Sequence, residues 1–381
     1  MLLEFVYYSL FGLNVILCLT HRKNLSVLLG TLFLLGLMFY ANDATYGDHI
    51  TYMADYYNGE RTREGDILYG HFMILIGKLG VSYQFFLLCV YLFDLIFISL
   101  GLISFTKNPH AFIAISMFYI FPFFSMGIRY SMAMAVFLFT LRYLKERKIV
   151  LFLIGLILSS MIHICLAFSA VLLLCFIKKL TDDSNFEKTN YPYWFVFVVL
   201  AIFIINMYSS GSFMFKELSA SLLTEYGLED RGMIYLEYGI GNGNGMFLLL
   251  PEFIVSVLLS QRIVSLTKIF RLSTVECEED FRLAKVNYLI NIISSIFYLL
   301  FCITPSFLRL LVIPTFTNSV MLGRIYEKKD IYFVGYQTNA CRTINILFSC
   351  FVFTWIIPVI YNMFGCTVLY WLDTVNRFFE H

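Results

Sequence analysis

Residues 149–178 read IVLFLIGLILSSMIHICLAFSAVLLLCFIK, an apolar run with a single histidine, His163, near its middle. One membrane helix takes ~20 residues, so this run is too long for one crossing and short for two. Lysine and arginine collect in the cytoplasmic loops of membrane proteins. Basic residues flank the run on both sides: Lys145, Arg147 and Lys148 before it, and Lys178 and Lys179 after it. Both flanks therefore belong on one side, and the run is predicted to be a hairpin that turns near His163.

Apolar runs of spanning length recur along the whole chain. The chain is 60% hydrophobic and only 14% charged, which excludes a soluble core wrapped in a polar shell. We therefore predict an all-α polytopic membrane protein with about 12 transmembrane helices and both termini outside. The other predicted spans are residues 3–19, 25–41, 82–105, 109–126, 129–144, 192–208, 246–261, 286–304, 307–322 and 344–363.

Two long connections lie on the outer side of this predicted topology. The whole chain, residues 1–381, is predicted to form a single integral membrane domain. The first outer loop covers residues 42–81 and is predicted to hold an amphipathic helix and a re-entrant helix. Its apolar segment, residues 67–79, is too short to span, so it should lie in the interface or re-enter. The second outer loop covers residues 209–245.

Several kinds of chemistry are disfavoured by the sequence. The nine cysteines are scattered through apolar runs without a Cys-x-x-Cys pair, and we interpret them as small core residues. The acidic stretch at residues 276–280 lies among basic residues on the predicted cytoplasmic side, which indicates a solvated loop rather than a metal site. No phosphate-binding glycine loop, zinc motif or serine triad occurs. We expect no metal, no cofactor and, with a net charge of +1, no nucleic-acid partner.

Isolated cations at the ends of apolar helices provide the strongest indication of function. Arg129, His163, Arg231 and Arg309 all fall on the predicted outer side. Such side chains are costly at a membrane unless an anion meets them, and a lipid-linked phosphate is the obvious anion. Simpler interpretations exist for each of them. Arg129 and Arg309 are also typical of interfacial arginines that reach lipid headgroups. His163 would suit a core histidine, and Arg231 a surface ion pair.

Three stretches of the sequence share a pattern with known proteins. The first outer loop holds DHITY (residues 48–52), EGDILY (64–69) and LGVSYQFFLL (79–88), while GIRYSMAMA covers residues 127–135 and MIHICLA covers 161–167. This pattern resembles the EpsG family of polysaccharide repeat-unit polymerases, which is related to the Wzy-type O-antigen and capsule polymerases. Tyr130 stands where that family usually has glutamine, Gly65-Asp66 replaces a Pro-Gly turn, and Cys165 replaces a small hydroxyl residue.

The resemblance implies an inverting glycosyltransferase with a glycosyltransferase-C-like fold. Such an enzyme would be a multi-pass protein of the bacterial inner membrane, with its active site facing the periplasm or the cell exterior. It would move a growing glycan from undecaprenyl pyrophosphate onto the non-reducing end of the next lipid-linked repeat unit. The implied partners are the undecaprenyl-pyrophosphate-linked oligosaccharide, the lipid bilayer and a chain-length regulator.

Residue chemistry suits that activity. Arginine is always charged and grips phosphate oxygens in pairs, so the predicted pyrophosphate ligands are Arg129, Arg231 and Arg309. The acceptor hydroxyl needs a base, for which the alternatives are Asp48, Asp55 and His163. Asp48 and Asp55 recur with Tyr52 and Tyr56 at helical spacing, which places acids and aromatic rings on one stripe. The two tyrosines are predicted sugar-stacking surfaces, although a solvated helix face is the simpler interpretation of this stripe.

Two other functions fit part of the sequence. A flippase for the lipid-linked oligosaccharide would carry cations in a central cavity between two symmetric halves, whereas these arginines lie on one side and no repeat is visible. A membrane transferase that decorates a glycan once is the other alternative. It would leave the ladder of polymer lengths unchanged.

Overall fold

The computed structural model describes residues 2–20, 22–42, 49–58, 66–118, 120–177, 244–301, 309–332 and 338–360. All regular elements in these ranges are helical. The α-helices are α1 (Leu2–Leu19), α2 (Leu25–Tyr40), α3 (His49–Asn58), α4 (Ile67–Gly77), α5 (Tyr83–Ile103), α6 (His110–Phe118), α7 (Ile120–Met126), α8 (Ile128–Thr140), α9 (Arg142–Lys145), α10 (Ile149–Ile162), α11 (Asn244–Phe270), α12 (Val275–Phe301), α13 (Val312–Glu327), α14 (Lys329–Tyr332) and α15 (Thr338–Ile360). A 3₁₀ helix covers Ile164–Phe176.

The helices have the length and composition of membrane spans. Among the described residues, three are long and apolar enough to cross a bilayer, Leu2–Leu19, Tyr83–Ile103 and Pro251–Phe270, and shorter apolar helices accompany them. Their lipid-compatible surfaces carry large exposed apolar side chains such as Phe5 and Phe33. The fold is therefore that of a helical membrane protein. The count of about 12 spans stays a prediction.

The predicted hairpin at His163 is confirmed. Helix α10 ends at Ile162, His163 is extended with φ −150° and ψ 117°, and the chain returns as the 3₁₀ helix. The rings of Phe152 and Phe176, near the two far ends of the arms, are 5.6 Å apart, so the arms are antiparallel. The 3₁₀ helix rises ~2.0 Å per residue instead of ~1.5 Å, which lets its 13 residues reach further than an α-helix of the same length.

Helices α8 and α13 are the central pair of the fold. Nearly every side chain of both is buried. Helix α8 packs between α5 and α10, whereas α13 packs against α6 and α12. An edge-to-face contact between Phe112 of α6 and Phe316 of α13, 5.3 Å between ring centroids, belongs to this packing. A residue at the start of either helix is therefore held by a deeply buried part of the molecule.

The two ends of the bundle differ in charge. Helix α5, 21 residues and about 31 Å long, runs from Tyr83 at one end, called here the site end, towards the opposite end. At the opposite end Arg324 Nη1 donates to the carbonyl oxygen of Phe105 at 2.8 Å. Lys145 pairs there with Glu279 at 3.0 Å, and Lys23 lies 3.8 Å from Glu327. Basic residues of three separate loops or helix ends thus share one end.

The prediction of a solvated loop at residues 276–280 is confirmed for the exposed side chains of Glu276 and Glu278 and wrong for the loop and for Asp280. These residues form the start of α12, and Asp280 is only 1% exposed. Its carboxylate accepts from Arg324 Nε, from Lys328 Nζ at 2.8 Å and from the Tyr332 hydroxyl at 2.7 Å. Burial raises the pKa of the Tyr332 hydroxyl, and the neighbouring Asp280 raises it further. Cations of α13 therefore neutralise the buried carboxylate of Asp280.

Candidate active site

The start of α8 holds a buried ion pair at the site end of the bundle. Arg129 Nη1 donates to Asp66 Oδ2 at 2.7 Å, and the two side chains are only 6% and 8% exposed. The Arg129 guanidinium carbon lies 5.1 Å from the centre of the Tyr52 ring, and the guanidinium also donates to the Tyr52 hydroxyl. Arg129 is therefore a buried, oriented cation rather than an arginine that reaches out to lipid headgroups.

The guanidinium of Arg129 is not fully used by these contacts. Within the part of the chain that the structure describes, Arg129 Nε is buried and has no hydrogen-bond acceptor. An unpaired buried donor is costly, and a guanidinium N–H is a strong donor to phosphate or carboxylate oxygens. The site thus presents one unsatisfied, charge-assisted donor next to the Asp66 contact.

A second cation, Arg309, lies at the same end of the bundle, in contact with Tyr130. Arg309 Nη1 lies 3.1 Å from His163 Nε2, and the Arg309 guanidinium carbon lies 5.6 Å from the centre of the Tyr130 ring. The Tyr130 hydroxyl donates to the backbone carbonyl of Arg309, and its ring meets that of His163 edge to face at 6.0 Å. Since Tyr130 follows Arg129 directly, one residue of α8 joins the two cations. The structure therefore brings Arg129, His163 and Arg309 together at one end.

Two helix starts point into this region. Helix α8 begins at Ile128, and Gly127 before it has no side chain with which to cap the first N–H groups. Arg309 lies in a short 3₁₀ turn that leads directly into α13. The first N–H groups of a helix lack helical acceptors and carry partial positive charge, which makes a helix start a place for anions. Both central helices therefore add positive potential to that of the two arginines.

Helix α3 covers the site with aromatic rings. Tyr52 is 2% and Tyr56 5% exposed, and the Tyr56 hydroxyl donates to the Val81 carbonyl at 2.9 Å. Burial raises the pKa of the Tyr56 hydroxyl, with Tyr57 contributing. The predicted helical stripe is present, but its tyrosines face the interior instead of an open cleft. Tyr57, 64% exposed, is the ring of α3 that faces outwards, and Asp55 is half-buried.

A histidine fixes α3 against the neighbouring helices. His49, fully buried, contacts the Tyr83 hydroxyl at 2.7 Å through Nδ1 and the Ser125 carbonyl through Nε2. Its two nitrogens thus tie the start of α3 to the start of α5 and to α7. The contact holds α3 over Arg129.

Not every predicted residue can be placed. Asp48 and Arg231 lie outside the described residues. Conversely, sequence reasoning missed Asp66 as the partner of Arg129, and missed Tyr130 as the bridge to Arg309. The EGDILY stretch indicates a turn by its resemblance, and a carboxylate one residue before an apolar helix is the indication in the sequence for Asp66.

The fold and this site define a helical membrane protein that gathers cations and a histidine at one end of its bundle. The model of one protein family, the EpsG family, matches residues 6–370, nearly the whole chain. The chain therefore belongs to the EpsG family, which is related to the Wzy-like polymerases and indicates a role in polysaccharide biosynthesis. No curated protein and no solved structure matches it.

Proposed function

We propose that the chain polymerises lipid-linked oligosaccharide repeat units at the outer face of the bacterial inner membrane. It transfers the growing glycan from undecaprenyl pyrophosphate to a hydroxyl at the non-reducing end of the next unit, with inversion. The observation that carries the proposal is that two cations lie before or at the starts of α8 and α13, Arg129 against Asp66 and Arg309 against His163, with Tyr130 contacting Arg309. A chain-length regulator would be a further partner.

The charge that develops on the leaving group explains why the site needs cations. The bond between the anomeric carbon and the pyrophosphate oxygen breaks, and the electron pair stays with the pyrophosphate. Arg129 Nε, the Arg309 guanidinium and the first N–H groups of α8 would meet that developing charge. Donors that are already oriented before the reaction stabilise such a transition state most strongly. His163, held against Arg309, belongs with this group as a phosphate hydrogen-bonding residue.

The acceptor hydroxyl attacks from the opposite face and gives its proton to a base. A carboxylate of the first outer loop suits this step better than His163, because the imidazole already contacts a guanidinium. Asp55 is half-buried on α3, beside the tyrosines that cover Arg129. Asp48, just before α3, is the alternative base. The exposed Tyr57 ring of the same helix is the better surface for a sugar than the buried Tyr52 or Tyr56.

The test uses the purified full chain in lipid nanodiscs with the lipid-linked repeat unit of the host strain. Wild-type protein should produce a ladder of polymer lengths and release one undecaprenyl pyrophosphate per bond formed. Arg309→Ala should lower the initial rate by about 100-fold or more, the range seen when one oriented donor is lost. Arg22→Ala, which removes an exposed arginine outside the site, is the matched control.

Each rival function gives a different result in this assay. A decorating transferase adds one sugar and forms no ladder, and a flippase forms no bond at all. An unchanged ladder with Arg309→Ala would contradict the proposed role of the cations even if the wild-type protein is a polymerase.

A further inference from the structure

We propose that Asp66 is an internal substitute for a substrate phosphate, which holds Arg129 while the site is empty and leaves it when a diphosphate binds. The identity of the incoming anion rests on the proposed function. The exchange itself rests on the contacts of Asp66 and Arg129. Asp66 would then set the affinity for the donor without taking part in bond making.

The geometry of the ion pair leaves room for exchange. Asp66 Oδ2 accepts from Arg129 Nη1 at 2.7 Å, while Arg129 Nε has no acceptor within the described part of the chain. A two-pronged contact between guanidinium and an oxyanion is stronger than a single one. A diphosphate offers several oxygens and can use the unsatisfied Nε, so it has an advantage over the carboxylate at the same cation.

Burial explains why a substitute is needed. Arg129 is only 6% exposed, and a buried guanidinium without a counter-charge is strongly destabilising. Carboxylate and phosphate oxygens offer the same chemistry to a guanidinium. Asp66 therefore keeps the cation oriented between catalytic cycles, when no substrate neutralises it.

A second set of hydrogen-bond donors lies close to Asp66, at the start of α4. It is the N-cap residue of α4, yet its side chain makes no cap hydrogen bond to that helix. Aspartate is among the best N-cap residues because its carboxylate accepts from the second or third N–H of the helix. These are the N–H groups of Leu68 and Tyr69. A carboxylate displaced from Arg129 can turn to these N–H groups. It then exchanges one set of hydrogen-bond donors for another and does not become a buried, unpaired charge.

Helix α4 would transmit the effect of this exchange to the helices that pack against it. It packs against α3, α5 and α10, and α10 leads directly to His163. Capping would stabilise the first turn of α4 when the anion binds. The loop that covers the site and the hairpin that carries His163 would then respond to the same event.

Binding of inorganic pyrophosphate to the purified full chain in detergent, at fixed ionic strength, tests the proposal. Asp66→Asn keeps the shape of the side chain but removes the competing charge. We expect it to bind pyrophosphate about tenfold more tightly, because the internal competitor no longer occupies the cation. Asp280→Asn, the same change in the buried ionic cluster at the opposite end, should leave the affinity unchanged.

Hydrogen exchange on the wild-type protein provides a second measurement that needs no variant. Pyrophosphate should increase the protection of the Leu68 and Tyr69 amides, since a capping carboxylate would then accept from them. If Asp66→Asn fails to fold, this measurement alone decides the matter. Unchanged protection at α4 on saturation with pyrophosphate would overturn the proposal, as would equal or weaker binding by a folded Asp66→Asn protein.

Failure of the proposed function and failure of the exchange at Asp66 give different results. Wild-type protein that binds no pyrophosphate, or binds it as tightly after Arg129→Lys, would refute the proposed function of the cation site. Binding that depends on Arg129 while Asp66→Asn does not tighten it would refute only the exchange.

Discussion

Removing the charge of Arg129 should lower the free energy of unfolding. Removing the charge of Asp66 as well should restore part of that loss. Arg129→Met keeps an unbranched apolar stem of similar reach but leaves the Asp66 carboxylate, only 8% exposed, without its cation. Breaking a buried pair from one side costs about 3–5 kcal/mol, because the remaining charge is uncompensated. Asp66→Asn alone should cost about 1–3 kcal/mol, since the amide oxygen still accepts from Arg129.

The double variant separates charge from packing. With both charges removed, Arg129→Met with Asp66→Asn should be more stable than Arg129→Met alone by about 2 kcal/mol or more, since replacing a whole buried pair is often neutral. Polymerisation should stay absent, because the site has lost its cation. Lys148→Met is the control for an exposed pair. Lys148 is 57% exposed and contacts Glu146 at 2.7 Å, so its loss should cost at most about 1 kcal/mol.

Unfolding in detergent, followed by circular dichroism or by exposure of buried cysteines, measures these differences. Additive costs in the double variant would refute the reasoning, since uncoupled side chains do not form an ion pair. Recovery of polymer in the double variant would refute the role of Arg129 in catalysis while leaving the stability argument intact.

Three further predictions concern residues around the site and at the opposite end. Gly155→Ala should lower the free energy of unfolding by about 1–3 kcal/mol, because the new Cβ would collide with Thr140 of α8. Gly12→Ala is the control and should be tolerated, because nothing lies within 4 Å of the added Cβ. Thermal unfolding of both variants measures the difference. Tyr130→Phe should lower stability by about 1 kcal/mol and slow polymerisation, because it frees the backbone carbonyl of Arg309; denaturation and initial rates measure the two effects. Burial opposes ionisation of Glu279, but the hydrogen bond from Lys145 and the charge of Arg324 outweigh it and lower its pKa. The pair therefore adds stability above the ordinary pKa of this carboxyl, and that stability is lost as pH falls through the lowered value, so wild-type protein should lose more stability than Glu279→Gln between pH 7 and pH 3.

The hairpin at His163 was predictable because its evidence is local. Apolar length and the basic residues on both flanks require two short arms, and both are properties of neighbouring residues. The start of α12 was not predictable in the same way. Asp280 looks solvated in sequence, and only the fold brings Arg324 and Lys328 to it.

In the candidate site, too, residues were predictable where the indication is local in the sequence and not where it depends on the fold. Arg129, His163 and Arg309 were found because isolated cations in apolar sequence are costly and conspicuous. Asp66 was missed because its role depends on a contact with Arg129 across 63 positions of sequence. Tyr52 and Tyr56 were assigned to the correct helix face, but whether that face opens to a cleft or to the core depends on what packs over it.

The shortness of the hairpin has a consequence for the lipid around it. Its α-helical arm of 14 residues is about 21 Å long, well below the ~30 Å hydrocarbon thickness of a bilayer. A hydrophobic segment this short draws the headgroup layer inwards beside it. The depression would form next to His163, so the proposed polyprenyl-linked substrate would need to move only a short distance out of the membrane to reach the arginines.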